Sequence, residues 1–200
     1  AWIRERKRDY YYQMAKKESY RSRAAYKLLQ AVRKYDFIRS SDVVIDLGAA
    51  PGGWLQASRK IVGDKGLLLG VDLKTIQPLS FSNVHTLLGD ITDPQTLGEI
   101  RKFLPHSADV VISDVSPNIS GIWELDHARQ IDLARHSLKI AVSILKPKGN
   151  FFVKVFQGDM LDEFFREVKA YFHFVKLLKP RASRARSAEI YILGKEMKQT

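Results

Sequence analysis

Val43-Val44-Ile45-Asp46-Leu47-Gly48-Ala49-Ala50-Pro51-Gly52-Gly53-Trp54 is the stretch on which the fold turns. Its first five residues form a short apolar run carrying one acid, and a Gly-rich turn follows. Trp54–Val62 then reads as a helix. A buried strand that passes through such a turn into a helix opens a parallel sheet. The alternation continues downstream. Leu67–Leu73, Val84–Leu88, Ala108–Ser113 and Asn150–Phe156 read as buried strands. Asp93-Pro94 reads as an N-cap with Pro at the first helical position. Asp126–Leu145 reads as a long amphipathic helix, stopped by Lys146-Pro147-Lys148-Gly149, and Asp159–Phe172 as another helix. Phe174–Leu178 and Glu189–Gly194 complete the strands. No helix separates those two, so they predict an antiparallel hairpin at one edge. The expected class is α/β: a seven-stranded, mostly parallel sheet with helices on both faces.

Upstream, residues 1–35 contain no Pro or Gly and predict a helix. Ala24, Ala25, Leu28, Leu29 and Val32 keep the spacing of a buried face, with Lys27 beside the stripe. Tyr10, Tyr11, Tyr12, Tyr20 and Tyr26 lie among Arg21 and Arg23. They either stack on bases while the cations meet phosphates, or pack the helix on the body.

The charge is lopsided. The 200 residues carry a net +11. Residues 1–39 hold 12 basic and 4 acidic residues, a net +8, whereas residues 40–200 hold 21 and 18, a net +3. A basic segment, 1–39, packed on a nearly neutral domain, 40–200, points to a polyanion such as nucleic acid, with an anionic membrane as the weaker match. The absence of Cys excludes a disulfide framework, a zinc ribbon, an iron–sulfur cluster and a thiol nucleophile. It also fits a reducing compartment. No apolar run approaches the ~20 residues of a membrane span, and the N-terminus, which opens at Ala1, lacks the apolar core of a signal peptide. A cytoplasmic monomer without membrane attachment is the expectation.

Ligands of open α/β sheets bind beyond the carboxyl ends of the strands. There Gly48, Gly52 and Gly53 allow close backbone approach. The motif is neither the dinucleotide GxGxxG nor a phosphate loop, which disfavours pyrophosphate. Asp72, followed by Leu73, ends the second strand, where a carboxylate accepts both ribose hydroxyls of a nucleoside. Asp90, followed by Ile91, comes after the third strand and is placed to accept from an adenine amino group. Either could singly be a helix cap. Together they describe a nucleoside cofactor without phosphates, and S-adenosylmethionine fits. A second set comprises Asp114 after the fourth strand, Lys154 inside the fifth and Glu189 at the start of the seventh. A lysine among apolar strand residues is costly unless paired, so Lys154 is either half of a structural ion pair or a catalytic lysine.

With these motifs in view, the sequence resembles the FtsJ/RrmJ family of ribosomal RNA 2′-O-methyltransferases, from about Ser22 to Gly194. The resemblance rests on Ser22–Leu28, Asp46–Trp54, Ser113–Gly121, Val153–Gly158 and Ser183–Tyr191. It implies a Rossmann-like S-adenosylmethionine-dependent methyltransferase fold. The family's catalytic tetrad falls on Lys27, Asp114, Lys154 and Glu189. Its methyl-donor contacts fall on Gly52, Trp54, Asp72, Asp90 and Asp114. The implied substrate is a ribose 2′-OH, that of a uridine, in large-subunit ribosomal RNA. Relatives with the same tetrad act on transfer RNA or mRNA caps, and an idle RNA-binding assembly factor is a further alternative. On this reading Lys154 is the general base, held by Asp114 and made less basic by Lys27. Lys27 stabilises the developing alkoxide, and Glu189 orients Lys27 or the ribose. The sulfonium is already activated, so no metal is needed, and the five His show no ligand spacing. Arg21, Arg23, Lys176, Lys179, Arg181, Arg184 and Arg186 are expected to hold the RNA backbone.

Overall fold

The computed structural model describes residues 9–199. The basic residues Arg4, Arg6, Lys7 and Arg8, and the first part of the expected N-terminal helix, lie outside them. The remainder of that helix is broken in two. Helix α1 (Tyr10–Lys17) is capped by the Asp9 carboxylate, which accepts from Tyr12 N. It ends before Ser19, whose φ is 62°, and α2 (Ala24–Tyr35) follows. The break is tertiary in origin. It lets Tyr20 and Tyr26 bury against the body while Tyr10 stays exposed, and it lets the Arg21 N–H donate to Gln56 Oε1 at 2.7 Å.

The strands are β1 (Val43–Leu47), β2 (Leu67–Asp72), β3 (Val84–Leu88), β4 (Ala108–Ser113), β5 (Leu145–Phe156), β6 (Phe172–Leu178) and β7 (Glu189–Met197). Between them run α3 (Gly53–Val62), α4 (Pro94–Phe103), α5 (Trp123–Ile144) and α6 (Leu161–Tyr171). They form one seven-stranded sheet in the order β3-β2-β1-β4-β5-β7-β6. The first five positions are parallel, and β7 is antiparallel to both β5 and β6. The expected hairpin exists, but its second strand lies inside the sheet and its first strand forms the edge. Strand β5 also starts earlier than expected: Ala108 pairs with Leu145 before a register shift, so Lys146–Gly149 belong to the strand rather than to a loop. Helix α5 begins three residues before the expected Asp126.

Alternation along the strands sorts side chains onto two faces. Val43, Ile45, Val111, Val153 and Val155 pack with Ile131, Leu138 and Phe164 of α5 and α6. Val44, Ile112 and Phe152 pack with Ala25, Leu28, Trp54 and Leu55 of α2 and α3. By the same alternation Lys154 belongs to the α2 side, and α2 carries Lys27.

Candidate active site

At the carboxyl end of the sheet a cavity of about 430 Å³ is lined by Gly48, Asp72, Leu73, Asp90, Ile91, Asp114 and Lys154, among others. Gly48 has φ +74°, and a Cβ there would come within 2.9 Å of the Val115 backbone, so only glycine lets the β1 turn close against the β4 turn. Asp72 holds the turn: its Oδ2 accepts from Ala50 N and its Oδ1 from Lys74 N, each at 2.9 Å. Asp90 Oδ1 accepts from Thr92 N and Oγ1, and these bonds hold its carboxyl below the usual carboxylate range. Neither acid caps a helix; the cap of α4 is Asp93, with Pro94 behind it. Each carboxylate retains lone pairs toward the cavity.

Three residues expected at the cofactor also hold the segment that leads into α2. Gly52, Gly53 and Trp54 do not line this cavity. A Cβ on Gly53 would meet Ser22 at 2.9 Å, and one on Gly52 would meet Arg21 at 3.1 Å. These glycines admit the segment before α2. The Trp54 indole donates to Ala24 O at 2.8 Å and stacks on Phe152. Its side chain is part of the core that seats α2.

The four charged residues converge at the rim. Lys154 is only 4% exposed. Its ammonium donates to Asp114 O at 3.1 Å and to Ser116 Oγ. It lies 3.5 Å from Asp114 Oδ1 and 3.6 Å from Glu189 Oε1. Lys27 reaches the other oxygen of the same carboxylate, Glu189 Oε2, at 2.8 Å. Glu189 therefore bridges the two lysines. Burial pushes its pKa up, but Lys154 and Lys27 outweigh that and leave it below its ordinary value. Two partners escaped the site reading. Ser116 follows Asp114 by two residues. Tyr191 follows Glu189 by two and so shares its face of β7, and it donates from its hydroxyl to Asp114 Oδ1 at 2.9 Å. Burial, with Asp114 and Glu189 nearby, keeps this phenol protonated. Period-two spacing along a strand was the available signal for Tyr191.

Behind the cavity Asp46 is fully buried and neither of its carboxylate oxygens has a hydrogen-bond partner. Burial, then the charges of Asp114 and Asp72, raise its pKa well above the ordinary value.

Two of the arginines expected to meet phosphate, Arg21 and Arg23, are occupied. The Arg21 guanidinium donates to the carbonyls of Pro51, Gln77 and Pro78. Arg23 pairs with Asp9 and donates to Ala182 O. Lys179 donates to Ser187 O at 2.7 Å, and Arg184 lies 3.6 Å from Asp9. A groove of about 790 Å³ between α2 and β6 joins Lys176, Lys179 and Arg181, expected at the RNA, to Arg33 and Lys34, which sequence reading missed; Tyr11 and Tyr35 line it too, and among the described residues no carboxylate does. Lys34 and Lys176 both sit over the Tyr35 ring. Its cations come from two segments far apart in the chain, so no local pattern announced it. Among the described residues no cluster of His, Cys, Asp or Glu suited to a metal occurs, and no helix is long and apolar enough to cross a membrane.

Known proteins resemble this chain over nearly its whole length. A protein of Methanocaldococcus jannaschii named ribosomal RNA large subunit methyltransferase E is 51% identical over 197 residues, covering 97% of this chain and 80% of its own. One of the same name from Archaeoglobus fulgidus is 53% identical over 193 residues, covering 96% of this chain and 98% of its own. A Plasmodium falciparum protein, whose solved structure carries the name ribosomal RNA methyltransferase, superposes with a TM-score of 0.80 at 25% identity, covering 90% of this chain and all of that one. The FtsJ-like methyltransferase family matches residues 20–197, and with the seven-stranded sheet and the converging Lys27, Asp114, Lys154 and Glu189 in place, the chain belongs to that family.

Proposed function

We propose that the protein transfers a methyl group from S-adenosylmethionine to a ribose 2′-OH of large-subunit ribosomal RNA. The observation that carries this reading is the buried Lys154 ammonium at the junction of a nucleoside-sized cavity and a cationic rim. The cavity suits the cofactor: Asp72 would accept from the ribose hydroxyls and Asp90 from the adenine amino group, and the Gly48 turn leaves room beside them. When bound, S-adenosylmethionine supplies an electrophilic methyl group. Lys154, held by Asp114 and Ser116, would act as the neutral amine, its own proton released beforehand to solvent at the rim, and receive the proton that leaves the hydroxyl as its oxygen takes up the methyl group. Lys27 faces the same carboxylate from the opposite side and offsets the negative charge that develops on oxygen. Glu189 sets the separation of the two lysines. Ring stacking and the Asp114–Tyr191 bond fix the strand ends, so the groups are aligned before substrate arrives.

Substrate RNA follows α2. Lys27, Gln30 and Lys34 recur at i, i+3 and i+7 and therefore share one face, which carries the strand about 10 Å along the helix from Lys27 to the groove. Phosphate contacts fall to Arg33, Lys34, Lys176, Arg181 and Arg186, with Lys179 and Arg184 at the loop between. Arg21 and Arg23 instead brace the turn and the loop that frame the site.

Incubation with methyl-labelled S-adenosylmethionine and either large-subunit ribosomal RNA or transfer RNA tests the reading. Label is expected in a single alkali-stable dinucleotide of the ribosomal RNA, with uridine as the modified nucleoside. Label on a base, or in transfer RNA alone, overturns it. RNA affinity should also depend steeply on salt. With about five phosphates neutralised, log affinity against log salt has a slope near −3.5 for a single strand. Replacing Arg33, Lys34 and Lys176 together by Ala should flatten that slope to about −1.4. Titration by fluorescence anisotropy at several salt concentrations reads it, and an unchanged slope removes the groove from the RNA path.

A further inference from the structure

The segment between Asp114 and α5 ends in exposed apolar side chains: Ile119, Ile122, Trp123 and Leu125. Exposing such a cluster beside a charged site is costly unless something covers it in use. The segment is not loose. Asp126 accepts from Ser120 N at 2.8 Å, from Ser120 Oγ at 2.7 Å and from Gly121 N at 3.1 Å, which pins the turn to the start of α5. The Trp123 ring is held flat as well. It stacks on His127 at 5.8 Å and on Phe156 at 6.0 Å, with interplanar angles of 19° and 21°. Nonetheless 46% of Trp123 remains exposed.

The register of the sheet ties this ring to the reacting groups. Phe156 ends β5 directly opposite Glu189 on β7, and Lys154 lies opposite Tyr191. Residues opposite one another share a face, with Cβ atoms about 5 Å apart. The order on that face is Trp123, Phe156, Glu189, and Glu189 contacts both lysines. A nucleotide whose 2′-OH meets Lys154 has its base, or that of its neighbour in the strand, within reach of this rim. We propose that Trp123 is a stacking platform for a base of the substrate strand at the target nucleotide, and that it positions the ribose against Lys154 without touching the reacting atoms. The platform rests on the reading of the substrate as RNA. Its occupant is a nucleobase because the exposed surface is a flat, half-exposed aromatic ring at the rim of a site built for a ribose, and every base offers such a ring a flat face to stack on.

Trp123→Ala, Trp123→Phe and Trp123→Tyr, compared with the parent protein, test this. Base stacking lost to Ala corresponds to about a tenfold to hundredfold weaker RNA affinity. KM for RNA is expected to rise by that factor in Trp123→Ala and to recover largely in Trp123→Phe and Trp123→Tyr. Cofactor affinity and melting temperature should change little. A substrate abasic at the target and its neighbours should weaken the parent equally and weaken Trp123→Ala no further. Fluorescence supplies a measurement in the intact protein: RNA should quench an emission component that is present in the parent and missing in Trp123→Phe. Equal RNA affinity and KM in Trp123→Ala, or Phe restoring the melting temperature alone, overturns the platform. Absence of any RNA methylation by the parent would instead overturn the reading on which it rests.

Discussion

Lys154→Ala is expected to abolish turnover while leaving cofactor and RNA affinity nearly intact. General bases contribute about 10²–10⁴-fold, so the single-turnover rate should fall by at least that much. Lys154→Arg should not restore it, because a guanidinium stays protonated and cannot accept the hydroxyl proton. The alternative, that Lys154 is only half of a structural ion pair, makes the opposite forecast. Removing a 4% exposed ammonium would then leave Glu189 with Lys27 alone and Asp114 with the Tyr191 hydroxyl alone, lower the melting temperature and leave the folded fraction active. Melting temperature and single-turnover rate measured on one preparation separate the two. A stable, inactive variant supports the base; an active, destabilised one ends that assignment.

Asp72→Ala should weaken S-adenosylmethionine binding by about 10- to 150-fold, the equivalent of roughly 1.5–3 kcal/mol for hydrogen bonds to a charged acceptor. Part of this loss is indirect. The same carboxylate holds Ala50 N and Lys74 N, so its removal also frees the turn that forms one wall of the cavity. Asp72→Asn keeps an acceptor but not the charge, and its affinity should fall between the two. Calorimetric titration with the cofactor checks both variants. Unchanged affinity in Asp72→Ala would place the nucleoside elsewhere.

Much of the scaffold was legible because burial imposes local patterns. Val43–Leu47 and Ala108–Ser113 are continuous apolar runs, as strands covered on both faces must be, and their bounds match the structure. Lys154 stood out for the same reason, as an ammonium flanked on both sides by apolar residues of a buried strand. What could not be read locally depends on partners distant in sequence. Ser19 breaks the N-terminal helix although nothing nearby is a helix breaker, because Tyr20 and Arg21 find better partners on the body. Gly52 and Gly53, read as room for a ligand, also make room for Arg21 and Ser22, which no local pattern showed. Trp54 sits in a cofactor motif while its indole packs beneath α2. Arg21 and Arg23 looked like free cations until the fold supplied acceptors for them, whereas Arg33 and Lys34 became a groove only when β6 brought Lys176 alongside.

The insertion of β7 between β5 and β6 has a consequence for how the chain matures. During synthesis β6 emerges before β7, yet β7 is the sheet neighbour of β6. Until residues 189–197 arrive, the strand 172–178 has nothing to pair with, and it carries the exposed apolar residues Phe174 and Leu177. A nascent edge of this kind is open to association with other chains. The same late event delivers Glu189 between Lys27 and Lys154, closing contacts more than 160 positions apart for Lys27. Pairings of such long range form slowly. Completion of the sheet and arming of the site are thus one step, and a half-made chain is inert by construction: neither lysine has its bridging carboxylate before the last strand docks.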